Sequence, residues 1–210
     1  MYKRAFAAFY DRYEQREHVA TAPVRRKLLA GLEGEVLELG AGTGANFAYY
    51  PPSARVTATD YSGHMLRRAE GVSRKSPAQI ALQEADAMHL PFADASFDVV
   101  VAVFVFCSLA RPRRGLAEAF RVLKSGGELR LFEHVRSKRQ SVARLQWALS
   151  PVWSAAADGC RLDRDIPPLV SAVGFAVESV ESIDLDITPR LRREIILARK
   201  PRELGSNEPD

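Results

Sequence analysis

A chain of 210 residues with 47% hydrophobic and 27% charged side chains has globular composition, which excludes whole-chain disorder and fibrous repeats. Its net charge of +4, from 30 Lys and Arg against 26 Asp and Glu, is too small to call for a nucleic-acid partner. Two cysteines, Cys107 and Cys160, are too few for a disulfide scaffold, and no run reaches the ~18 apolar residues of a membrane helix.

The first residues lack the apolar core and cleavage site of a signal peptide, so a cytoplasmic location without membrane insertion is expected. The length favours a single domain, residues 1–200, followed by a polar, frayed tail at 201–210. Tyr2, Phe6, Phe9, Tyr10 and Tyr13 share one helix face, so residues 1–20 read as a helix able to act as a lid. A second helix is expected from Pro23 to Leu32. Val36–Leu39 is a strand entering a glycine turn, with a helix from about Gly44.

Arg55–Asp60 is the second strand, and Ser62 can cap a helix reaching about Lys75. Gln79–Glu84 and Phe97–Phe106 are strands three and four, the latter apolar enough to be covered on both faces. A helix at 113–123 ends near Ser125-Gly126-Gly127, and Glu128–His134 is strand five. Residues 138–160, with Trp147, Trp153 and an interrupting Pro151, suggest two short helices forming a cap over the sheet. Another helix stops at Gly174, and Ala176–Ile183 and Arg193–Arg199 are terminal strands. The alternation predicts an α/β, Rossmann-like, doubly wound sheet.

The glycine turn carries the functional signal. Gly40, Gly42 and Gly44 lie between a strand and a helix, where bare backbone can approach a ligand. The spacing G-x-G-x-G differs from the G-x-G-x-x-G dinucleotide fingerprint, and Glu38 before it suits an ammonium group rather than a pyrophosphate. Asp60, at the end of strand two, is placed to accept ribose hydroxyls. Asp86 can accept from an adenine amino group, with Ala87 and Met88 beside the ring. A ligand with an amine, a ribose and an adenine but no phosphate is S-adenosylmethionine, whose spent form is S-adenosylhomocysteine.

Over nearly its whole length the chain resembles the class I S-adenosylmethionine-dependent methyltransferases. The matching elements are ELGAGTG (38–44), Asp60, Asp86-Ala87-Met88, Leu90-Pro91-Phe92 before Phe97-Asp98, and RVLKSGG (121–127). The resemblance implies a seven-stranded sheet whose last strand is antiparallel, and adds Tyr61 and Met65 to the cofactor residues above. It also brings Phe104, Phe106 or Cys107 toward the cofactor.

The second half is similar to the thiol methyltransferases of the methyltransferase-like family. Phe106-Cys107-Ser108-Leu109, Phe132-Glu133-His134-Val135, Trp153, Asp158-Gly159-Cys160 and Arg164 carry that similarity. It implies a small-molecule acceptor, a thiol first. A thiol must react as thiolate, and His134, at the end of strand five, could accept its proton or could simply fix the following loop.

Phe6, Tyr10, Cys107, Trp147 and Trp153 are the candidate acceptor pocket. Their aromatic rings would equally suit C- or O-methylation of a quinol or phenol, and a non-catalytic S-adenosylmethionine-binding protein is a third reading. Cys107, Cys160 and His134 suffice in number for a metal site but lack any short ligand spacing, so no metal is expected. No appended module or base-holding tetrapeptide points to a nucleic acid.

Overall fold

The structure, a computed structural model, describes residues 17–185 and 191–202. Phe6 and Tyr10, and most of the expected lid and tail, lie outside them. Seven strands form one sheet in the order β3-β2-β1-β4-β5-β7-β6. They are β1 (Gly34–Leu39), β2 (Ala54–Asp60), β3 (Gln79–Glu84), β4 (Phe97–Val103), β5 (Leu123–His134), β6 (Ala176–Ile183) and β7 (Arg193–Arg199). Strands β1 to β5 pair in parallel, while β7 runs antiparallel to both β5 and β6. This is the expected sheet with its antiparallel last strand.

The core alternates along the central strands, as a period of two dictates. Val99, Val101 and Val103 of β4 face one hydrophobic cluster with Val36 of β1, and Val100 and Ala102 face the other with Leu37 and Leu39. Helix α1 (17–29) and α2 (Gly63–Ser73) cover the first face. Helices α3 (Pro112–Val122) and α5 (Ile166–Val173) cover the second. Ser62 caps α2 by accepting from the Met65 amide at 3.4 Å, and left-handed Gly174 (φ 115°) closes α5.

Four expectations are corrected. Helix α1 runs unbroken through Pro23. Val19, whose carbonyl Pro23 cannot serve, is 78% exposed, so water can take that bond. After the glycine turn only one 3-10 turn forms, Phe47–Tyr49, because Tyr50 precedes Pro51 and is held extended (φ −70°, ψ 133°).

Strand β4 ends at Val103, three residues early, since Phe104 is left-handed (φ 59°). Residues 140–156 are one helix, α4 (Gln140–Ala156), which contains Pro151 instead of breaking at it. Its buried polar residues hold it down: Gln146 accepts from the Ser137 amide at 2.7 Å, and Ser150 donates to Asp163 at 2.6 Å. Among the described residues no helix is long and apolar enough to cross a membrane.

The strand order reverses direction between β1 and β4, so the carboxyl ends of β1, β2, β4 and β5 converge beside a topological switch point, where open α/β sheets bind ligands.

Candidate active site

Two groups of side chains meet at that edge. The first surrounds the glycine turn. Gly40, Gly42 and Gly44 all take positive φ (62°, 56° and 87°), which side chains other than glycine adopt at a cost. A Cβ on Gly40 would lie 2.5 Å from Val105 Cγ2, so the turn packs directly on the chain leaving β4. A Cβ on Gly42 would meet nothing within 4 Å, leaving open space above the turn.

Glu38 is fully buried behind the turn. Its Oε1 accepts from Asn46 Nδ2 at 2.7 Å, and Asn46 Oδ1 in turn accepts from Arg25 of α1. Its Oε2 has no hydrogen-bond partner among the described residues. Burial pushes this carboxyl up to about 7, although the Asn46 amide, the neighbouring Tyr50 hydroxyl and the Arg25 charge oppose the shift. Such a buried acid recovers part of its desolvation cost when a cation comes to lie beside it.

Asp60 Oδ2 accepts from the Gly42 amide and Oδ1 from the Ser62 amide, both at 2.9 Å. The carboxylate therefore ties the glycine turn to the α2 cap while keeping lone pairs for a ligand. Asp86 Oδ1 accepts from the Met88 amide at 2.8 Å, closing the loop that carries Ala87 and Met88. Tyr61 is exposed, and Met65, Ala87 and Met88 are half-buried along the same edge.

The second group lies past β4. Glu133 is buried and gathers three successive amides: Val105 and Phe106 donate to Oε1 at 3.0 and 2.8 Å, and Cys107 to Oε2 at 3.0 Å. This clamp holds the sharp turn that begins at left-handed Phe104. Phe104 stacks on His134, with ring centroids 4.4 Å apart and planes 12° from parallel. Burial raises the Glu133 carboxyl, against the three amides that lower it.

Cys107 Sγ lies 4.0 Å from His134 Nδ1 and 3.6 Å from Cys160 Sγ, which is itself 3.6 Å from that nitrogen. Left-handed Gly159 (φ 81°) lets the Cys160 loop pass Ser108, and the Arg161 amide donates to the Cys107 carbonyl at 2.8 Å. Arg164 donates to the Phe106 carbonyl at 2.7 Å, as a brace for the cap. The other ring nitrogen of His134 faces Glu17 Oε1 at 3.3 Å, and Arg193 donates to the same oxygen at 2.6 Å. Against the opposing effect of burial, contacts with Cys107 and Glu17 push the imidazole up to about 9. Glu17 is brought down to about 2, its burial outweighed by His134 and Arg193. The Cys107 thiol is raised by its contact with Cys160 and by burial.

Trp153 packs on the cysteine cluster with Leu162 and Leu191. Trp147, expected in the same pocket, is 69% exposed on α4. The fold brings Cys107, Cys160 and His134 together although their sequence spacing is wide. Glu17 and the Glu133 clamp were not foreseen as site features: one lies 117 residues from its histidine partner, and the other serves backbone atoms.

Residues 37–131 match the family model described as a methyltransferase domain. The thiol S-methyltransferase TMT1B of Rattus norvegicus is 41% identical over 145 residues, covering 66% of this chain and 59% of that protein. The thiol S-methyltransferase TMT1A of Homo sapiens is 29% identical over 204 residues, 91% of this chain and 83% of that one. The chain spans 59% of the length of the TMT1B proteins it matches in rat and human. A putative methyltransferase structure from Bacillus halodurans superposes with a TM-score of 0.72 at 18% identity, over 86% of this chain and 99% of that one, a likeness of fold.

Proposed function

We propose that this chain, which belongs to the class I S-adenosylmethionine-dependent methyltransferases, moves the methyl group to the sulfur of a small thiol. When bound, S-adenosylmethionine supplies an electrophilic methyl on a sulfonium. The residues present fit it. The buried carboxyl of Glu38, satisfied by protein on one oxygen and facing only Tyr50 on the other, suits the cationic amino group, and the space over Gly42 suits an approach to bare backbone. Asp60 takes the ribose hydroxyls and Asp86 the adenine amino group, with Ala87 and Met88 against the ring. Tyr61 and Met65 border the nucleoside, and Phe104 screens the reacting end from water.

Transfer from a sulfonium is an in-line displacement, so the protein must chiefly position a thiolate and keep water away. The observation that carries the thiol reading is the Cys107–His134–Cys160 cluster beside Phe104. It is built from the segments in which the chain resembles the thiol methyltransferases. The names of the relatives TMT1B and TMT1A support the same acceptor. His134, foreseen as the group that acts on the acceptor proton, sits at the centre of this cluster, and Trp153 walls it.

A panel of small thiols, quinols, phenols and amines incubated with S-adenosylmethionine tests the proposal. Methylated thiols, formed in step with S-adenosylhomocysteine, are expected. Products only from quinols or phenols would overturn the acceptor, and tight cofactor binding without any product would favour a binding protein.

A further inference from the structure

We propose that Cys107, Cys160 and His134 bind one zinc ion, and, resting on the thiol reading above, that this ion holds the acceptor sulfur in its fourth position.

The donor set is the first argument. Two thiols and an imidazole are ligands that zinc prefers, and all three are buried. Their spacing is the second. A tetrahedral zinc with bonds of ~2.3 Å to sulfur and ~2.0 Å to nitrogen sets its ligand atoms about 3.8 Å apart for two sulfurs and about 3.5 Å for sulfur and nitrogen. The observed separations are 3.6 Å between the sulfurs and 3.6 and 4.0 Å from sulfur to nitrogen. Closing on an ion requires shifts of a few tenths of an ångström rather than a rearrangement.

The third argument lies outside the ligands. A ligating histidine donates its other ring N–H to a carboxylate or carbonyl, which fixes the tautomer and aims the free nitrogen at the metal. Here His134 turns Nδ1 to the two sulfurs and Nε2 to Glu17, whose carboxylate is itself gripped by buried Arg193 through Nε and Nη2 at 3.2 and 2.6 Å. The cysteines are equally fixed. The Cys107 amide is held by Glu133, and the Cys107 carbonyl is held by the Arg161 amide, next to Cys160. These contacts orient the three donors before any ion arrives.

Among the described residues no fourth Asp, Glu, His or Cys completes the group. Three protein ligands with one position left over is the arrangement of catalytic rather than structural zinc. In the step that follows, the acceptor thiol displaces a water from the ion and its proton passes to solvent. The sulfur's electron pair forms the new carbon–sulfur bond as the methyl's bond to the sulfonium breaks. That bond's pair stays on the departing sulfur, giving neutral S-adenosylhomocysteine. The product thioether no longer carries a charge to hold it on zinc, and water replaces it. Under this inference His134 is a ligand, not the proton acceptor, and Glu17 is a positioning residue.

The test uses the whole chain, purified reduced and stripped of metal, then titrated with zinc chloride against a chromogenic chelator and, separately, with cobalt(II). One equivalent of zinc and a tetrahedral, thiolate-bonded cobalt spectrum are expected. Cys160→Ser and Cys107→Ser should each lose the cobalt spectrum while keeping S-adenosylhomocysteine affinity, the latter showing that the fold survives. Glu17→Gln should weaken zinc by about 10–100-fold and keep the ligand set. Adding a small thiol should change the cobalt bands.

A reduced chain that takes up no zinc overturns the site, as does a chain whose only change is a Cys107–Cys160 disulfide. Zinc uptake with cobalt bands indifferent to thiols overturns the fourth-position role alone. Full thiol methylation by the metal-free chain also overturns that role while the thiol reading stands. Zinc uptake with thiol-sensitive bands but no methylated thiol leaves the site intact and sinks the thiol reading instead.

Discussion

Asn46 donates to Glu38 Oε1 at 2.7 Å and receives a bond from Arg25, so one amide side chain links helix α1 to the acid under the glycine turn. The arrangement fixes one oxygen of Glu38 and leaves the other buried behind the turn beside Tyr50, so under the proposed function the carboxyl's charge state bears directly on cofactor recognition.

With the free carboxyl near 7, S-adenosylmethionine affinity should depend on pH. The cationic amino group favours the ionised form, so binding releases a proton below about 7 and none well above it. Affinity should fall about tenfold for each pH unit below 7 and level off above. Calorimetry in buffers of different ionisation enthalpy reads both the affinity and the proton. Glu38→Gln should flatten the profile and cost ~1.5–3 kcal/mol of binding at pH 8, the worth of a hydrogen bond to a charged group.

The same buried acid shapes stability. Its folded pKa lies above its unfolded value of 4.5, so the free protein binds more protons folded than unfolded between those values. Stability should therefore decline as pH rises from about 4.5 to 7, and Glu38→Gln should remove that decline, as followed by urea denaturation across pH.

Gly40 and Gly42 should fail in different ways. Alanine at Gly40 meets Val105 Cγ2 at 2.5 Å in a left-handed conformation, so Gly40→Ala should lower folding stability by about 2–4 kcal/mol. Alanine at Gly42 meets only open space and pays the backbone cost alone, ~1–2 kcal/mol. Gly42→Ala should nevertheless weaken cofactor binding more than its stability loss suggests. Paired denaturation and calorimetry on the two variants separate the effects.

Glu133→Gln keeps an acceptor for Val105 and Phe106 but turns an N–H toward the Cys107 amide. One buried amide then loses its partner, a cost of ~1–3 kcal/mol. Turnover should drop by more than cofactor affinity, because the loosened segment carries Cys107 and not the glycine turn. Steady-state kinetics beside calorimetry measures the split.

Loss of the Asp60 carboxylate should weaken cofactor binding and also free the Gly42 and Ser62 amides that it holds. Asp60→Asn, which retains one acceptor oxygen, should bind the cofactor better than Asp60→Ala. Equal affinities for the two variants would remove Asp60 from the ribose.

What could be read from the chain alone follows from range. The glycine turn, Asp60 and Asp86 stand at strand ends spelled out by a few consecutive residues, and the apolar run at 99–106 announced a central strand. The helix after Gly44 was misplaced because Pro51 and Pro52 cut it to one turn. The fourth strand was drawn too long because an apolar sequence does not reveal that Phe104 turns left-handed under the pull of Glu133. The contact of Cys107 with Cys160 spans 53 positions, and that of Glu17 with His134 spans 117, so neither leaves a local pattern. Pro151 looked like a helix break, yet α4 continues through it, pinned by Gln146 and Ser150.

The most direct measurement of thiol methylation is transfer of a trideuteriomethyl group from labelled S-adenosylmethionine, with the product fragmented to locate the label. The account predicts label on the sulfur of a small thiol, formed in step with S-adenosylhomocysteine and lost in Cys107→Ser protein that still binds cofactor. Label found only on carbon, oxygen or nitrogen of every accepted substrate would contradict it.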